Sequence, residues 1–107
     1  MNTDTPLVCN MNVFSPAQRD AHIQATTELI QAIQSVQQVE NGYQLHFPNE
    51  TQSITKIAAF ISNERLCCPF LKFDLHIISN DEPLSLSLTG PIGTQEFLRD
   101  EFGGAIP

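Results

Sequence analysis

Cys67 and Cys68 are adjacent thiols, and Glu64 lies three and four residues before them. On a helix that spacing puts the carboxylate on the same face as the thiols, one turn earlier. A thiolate pair with a nearby carboxylate suits zinc, cuprous copper, mercury or a metalloid. Cys9 is the candidate third sulfur, so the expected ligand set is Cys67, Cys68, Cys9 and Glu64, with zinc or another thiophilic ion as cofactor. Against this stands the plain alternative that unpaired cysteines pack as small apolar residues. One C-C pair with a distant third Cys is also weaker evidence than two spaced C-x-x-C pairs.

Nucleophilic or redox chemistry fits the position less well. Pro69 disfavours helical backbone at Cys68, so the thiols fall at the end of a helix, where the dipole opposes a thiolate. Arg65 could offset part of that. A bond between the two neighbouring cysteines would close a strained ring. His22, His46 and His76 are possible further ligands, but they sit on three different elements and read as surface residues, and no carboxylate pair stands out for acid and base work. Gly90-Pro91-Ile92-Gly93-Thr94 offers amides ahead of a helix, but a simple break between strand and helix explains it without an anion.

The elements that must hold these residues follow from periodicity. Ser15-Pro16 with Gln18 is a capping box with proline at the first helical position, and Ile23, Leu29, Ile30, Ile33 and Val36 recur at helical spacing after it. This first helix is expected to stop near Gln34, with Val36 to Val39 as a short strand. Asn41-Gly42 is either a helix cap or the two-residue turn of a hairpin. Tyr43, Leu45 and Phe47 alternate with polar neighbours as a strand.

A second helix runs from about Thr51 to Leu66 with Ile54, Ile57, Ala58, Phe60 and Ile61 inward. Leu71, Phe73, Leu75 and Ile77 then make a strand with Lys72, Asp74 and His76 on its other face. It pairs as a hairpin with Leu84, Leu86 and Leu88, and Thr94 to Phe102 closes the chain as a helix with Phe97, Leu98 and Phe102 inward. Leu7 and Val8 read as an edge strand or an arm that carries Cys9.

This order predicts an α+β fold: a mainly antiparallel sheet of three or four strands with about three helices packed on one face. The opposite face would carry His46, His76, Gln44, Lys72, Asp74, Ser85 and Ser87, with the two histidines as cross-strand neighbours if their strands pair.

With 107 residues the chain is the size of one domain, spanning residues 1–107. Hydrophobic residues at 41% and charged residues at 16% suit a compact globule. A net charge of -7 with only five Lys and Arg argues against nucleic acid and anionic membranes as partners. The segment Met1-Asn2-Thr3-Asp4-Thr5-Pro6 has no basic region leading into an apolar run, so a cytoplasmic protein with free or metal-bound thiols is expected rather than a disulfide framework. An interaction or structural module that dimerises through the polar sheet face or an exposed helix face, with the cysteines merely packed, is the competing expectation.

The run Glu64-Arg65-Leu66-Cys67-Cys68-Pro69-Phe70-Leu71-Lys72-Phe73-Asp74-Leu75, with Gly42-Tyr43 before Phe47-Pro48 and Leu88-Thr89-Gly90-Pro91 before Glu96-Phe97-Leu98, resembles a family of short uncharacterised bacterial proteins. The resemblance covers nearly the whole chain. It implies a bacterial cytoplasmic protein with a shared three-cysteine set that includes Cys9, and it implies no activity.

Overall fold

A computed structural model describes residues 7–106. The segment Met1 to Pro6, which carried the expectation about an export signal, lies outside the described residues. Three α-helices and four strands follow one another as α1 (Pro16–Ala32), β1 (Ser35–Val39), β2 (Gly42–Phe47), α2 (Thr51–Cys67), β3 (Lys72–His76), β4 (Leu84–Thr89) and α3 (Thr94–Phe102). The α+β expectation holds.

All neighbouring strands are antiparallel, in the order β1-β2-β4-β3. Strand β4 therefore lies between β2 and β3, which makes β2-α2-β3 a split crossover. Tyr43, Leu45 and Phe47 pair with Leu88, Leu86 and Leu84, and Phe73 and Leu75 pair with Leu88 and Leu86 from the other side. Those residues, with Leu29 of α1, Ile57 and Phe60 of α2, and Leu98 and Phe102 of α3, form one core. Alternation in each strand is enough to aim the row, because successive side chains point to opposite faces.

The polar rows are equally regular, and they correct one expectation. His46 and His76 are not paired directly: both sit opposite Ser85, one on each side. Asn41 also differs from the expected Asn41-Gly42 turn. The register Val39↔Gly42 makes Glu40-Asn41 the two-residue loop, with Asn41 in the left-handed region at φ 57°. Gly42 belongs to the strand, and its lack of a side chain is needed for packing: a Cβ there would overlap the Leu88 carbonyl oxygen of β4.

In α1 the capping box forms as read, with Gln18 N–H donating to Ser15 Oγ at 3.2 Å and Ser15 N–H to Gln18 Oε1 at 2.9 Å. The buried stripe, however, is one residue out of step with the expected one. His22 and Leu29 are buried, whereas Ile23 is 53% exposed. Ile77, expected inward on β3, lies past the end of the strand and is 51% exposed.

Candidate functional site: a buried thiol and carboxyl cluster

The last turn of α2 brings Glu64, Cys67 and Cys68 together. Glu64 and Cys67 are helical, and the Cys68 N–H still closes a bond to the Glu64 carbonyl at 2.8 Å before Pro69 turns the chain out. All three side chains are buried. Cys67 Sγ lies 3.7 Å from Glu64 Oε1 and 3.6 Å from Cys68 Sγ. This is the arrangement expected from the i, i+3, i+4 spacing.

Cys9 joins them from the N-terminal arm, which is tied down rather than loose. Asn10 N–H donates to the Cys67 carbonyl at 2.7 Å, a one-turn 3-10 helix at Met11–Val13 follows, and Phe14 is buried in the core. Donor atoms of Cys9, Glu64, Cys67 and Cys68 all lie within 4.8 Å of one another, so the cluster could hold a metal ion. The four residues named from the sequence are the four that the fold brings together.

The expectation of three free or metal-bound thiols is changed in one respect. The Cys9 and Cys68 sulfurs are in bonding contact as a disulfide, with Cα atoms 4.4 Å apart, and Cys67 alone is free. A bond between non-neighbours avoids the small ring that a Cys67–Cys68 bridge would close.

Two further groups complete the site: His22, offered by the sequence as a possible further ligand but read as a surface residue, and Glu101, which it did not single out. His22 of α1, 3% exposed, places Nε2 2.8 Å from Glu64 Oε1. Its ring lies between Phe14 and Phe60, at centroid distances of 5.5 and 5.9 Å. Burial lowers its pKa, against the opposing pull of Glu101, so the ring is neutral at neutral pH. Nε2 is the ring nitrogen with a partner, which assigns it the proton, and Nδ1 is left without one.

Glu101 of α3 is the second. Its Oε2 lies 3.6 Å from Cys9 Sγ and 4.0 Å from Cys68 Sγ, contacts that become S–H donations once the disulfide is reduced. Its carboxyl also lies close enough to that of Glu64 for each to alter the other's proton affinity. Glu64 Oε2 and Glu101 Oε1 are both buried without a hydrogen-bond partner. Desolvation, then the neighbouring Glu64 carboxyl and its charge, push Glu101 up to about 9; desolvation also raises Glu64. At neutral pH Glu101 is therefore protonated, and burial holds Glu64 toward its protonated form as well.

Cys67 is pushed up to about 12, first by burial and then by the charges of Glu64 and Glu101. That agrees with the sequence argument against an activated nucleophile at a helix C-terminus. Arg65 is exposed and is not among the causes of this shift.

Both residues had a signal in the sequence. His22 is seven residues before Leu29, and Glu101 is three after Leu98, so each continues a stripe whose apolar members were recognised. The other two histidines stay on the polar sheet face, where Ser35 Oγ and His46 Nδ1 are 3.2 Å apart. The amides near Gly93 are used internally, by Thr94 N–H to the Pro91 carbonyl and Phe97 N–H to that of Gly93.

Fold and site together define a small α+β domain with a cluster of three cysteines and two carboxyls, of which Glu64, Cys67 and Cys68 are buried and Cys9 and Glu101 partly so. Comparison with known proteins takes the identification no further: no family model, curated protein or solved structure matches the chain. Among the described residues no helix is long and apolar enough to cross a membrane.

Proposed function

We propose that the reduced domain binds a soft or borderline metal ion, zinc or a more thiophilic one, through Cys9, Cys67, Cys68 and Glu64. The observation that carries this reading is the convergence of three sulfurs and one carboxylate from two distant segments within 4.8 Å. In the empty site burial and neighbouring charge hold Glu101 and Cys67 protonated; a bound cation reverses that, and the thiols lose protons as it enters. A reducing compartment such as the cytoplasm suits the reading, since the Cys9–Cys68 bond removes two of the donors. The resemblance to bacterial proteins with the same three cysteines supports the same set.

The test is elemental analysis of reduced protein purified without chelator, followed by zinc titration of Cys9→Ser, Cys67→Ser and Cys68→Ser. Each loss of a direct ligand should weaken zinc by more than about a hundredfold, beyond the range for outer-shell changes. Failure of reduced protein to retain or take up metal ends this reading.

The disulfide contact favours a second one. In it the Cys9–Cys68 bond is structural, Cys67 packs, and the domain is an interaction module that dimerises through the polar sheet face. Thiols that react only after reduction and unfolding, with a dimer mass in solution, would support it.

A further inference from the structure

A cavity of about 380 Å³ opens beside the cluster, and Cys9, His22, Glu64 and Glu101 form its polar end. Its other wall is Met11 from the arm with Ile23, Thr26, Thr27 and Ile30 of α1. Cys9 is the one cysteine among the described residues that lines it; Cys67 and Cys68 are buried at the end of α2. A simple metal ion held by the cluster would leave this apolar volume unused. It is larger than the roughly 150 Å³ of apolar space that suffices for benzene.

We propose that the cavity is a subsite for the organic group of a trivalent mono-organoarsenical, whose arsenic is held by Cys9 and Cys68. This rests on the thiophilic-ion reading and names its ligand class. Trivalent arsenic is pyramidal, with all three bonds on one side, so two sulfur donors must lie close together and not across from each other. Cys9 and Cys68 satisfy this, since their sulfurs approach to bonding contact in the oxidised form. An arsenical carrying one carbon substituent needs just two thiols, and the substituent then points away from the sulfurs, on the side where Cys9 meets the cavity.

The binding step is an exchange without redox change. R–As(OH)₂ meets two S–H groups; two As–O and two S–H bonds break, two As–S bonds form, and two waters leave with the thiol protons. Arsenic stays trivalent throughout, and the Cys9–Cys68 bond must be reduced beforehand. His22, Glu64 and Glu101 line the cavity beside Cys9, where the two waters would be released.

The experiment titrates reduced full-length chain with phenyl- and methylarsonous acids, each affinity normalised to that for a free dithiol, and weighs the adducts by mass spectrometry. Burial of the ring predicts a preference for phenyl of about tenfold or more, with the phenyl group retained in a 1:1 adduct. Thr27 is exposed on α1 at the cavity wall, so Thr27→Trp fills the space with little risk to folding. It should abolish the phenyl preference while leaving methylarsonous acid and zinc unaffected.

Equal normalised affinities, or a phenyl preference that survives Thr27→Trp, overturns the subsite while zinc binding still stands. Zinc uptake without binding of either arsenical also overturns it alone. Loss of all three ligands in the reduced wild type overturns the site reading as well.

Discussion

The carboxyl of Glu64, near the end of α2, and that of Glu101, on α3, converge beside three sulfurs, and the charge of Glu64 helps hold a proton on Glu101. Burial penalises a full charge on either, so the acid pair and the thiols form one electrostatic unit.

The first consequence is a dependence of stability on pH. Glu101 keeps its proton in the folded chain up to about pH 9, whereas the ordinary value is 4.5. Between these limits the folded state binds more protons than the unfolded one, so stability falls as pH rises and levels off above pH 9. Glu101→Gln retains a donor to Glu64 and should flatten that slope, adding about 2 kcal/mol under mildly alkaline conditions. Denaturant melts of both proteins across this range check it; parallel pH profiles would contradict the raised proton affinity of Glu101.

His22 predicts the opposite sign at lower pH. Its folded pKa lies below 6.5, so the unfolded chain takes up the proton first and stability is lost on acidification through that value. A neutral isostere such as His22→Gln should remove this acid limb, which the same melts would show.

Thiol reactivity should rank by exposure and pKa. In reduced native protein, part-exposed Cys9 should alkylate first near neutral pH, while buried Cys67, raised to about 12, should resist until the chain unfolds. Peptide mapping after timed alkylation measures the order, and early modification of Cys67 would be inconsistent with the site as described.

Oxidation should trade metal affinity for chain stability. The Cys9–Cys68 bond joins residues 59 apart, a separation for which chain entropy gives up to about 4 kcal/mol. Oxidised protein should therefore melt higher than reduced metal-free protein and should fail to take up zinc. Cys9→Ser should erase the difference between the two redox states. Melting curves with and without reductant, together with zinc uptake, test both halves.

Gly42 should be irreplaceable for a reason unrelated to its turn. A Cβ there would sit 1.9 Å from the Leu88 carbonyl oxygen, so Gly42→Ala must push β2 from β4 and should cost about 3 kcal/mol or prevent folding. Gly103, at φ 58° with open space around it, should lose only about 1 kcal/mol on change to Ala. Equal losses at the two glycines would refute the close-approach argument.

The strands and helices of this protein were legible in the sequence because their signals are local. Leu84, Leu86 and Leu88 alternate, Ser15, Pro16 and Gln18 cap, and Glu64 precedes Cys67 and Cys68 by one turn, whatever the rest of the chain does. Cys9 could be named as a candidate because sulfur is chemically distinctive, but not its place, since the bond from Asn10 to the Cys67 carbonyl is a long-range contact. The order β1-β2-β4-β3 was likewise out of reach, and with it the separation of His46 from His76 by β4. His22 and Glu101 show the limit most clearly. Each is a polar residue on an otherwise apolar stripe, and only the packing of α1 and α3 around the end of α2 turns them into partners of Glu64. Spacing along a helix or strand fixes which side chains share a face; which faces meet, and so which groups must hold their protons, is decided by the tertiary fold.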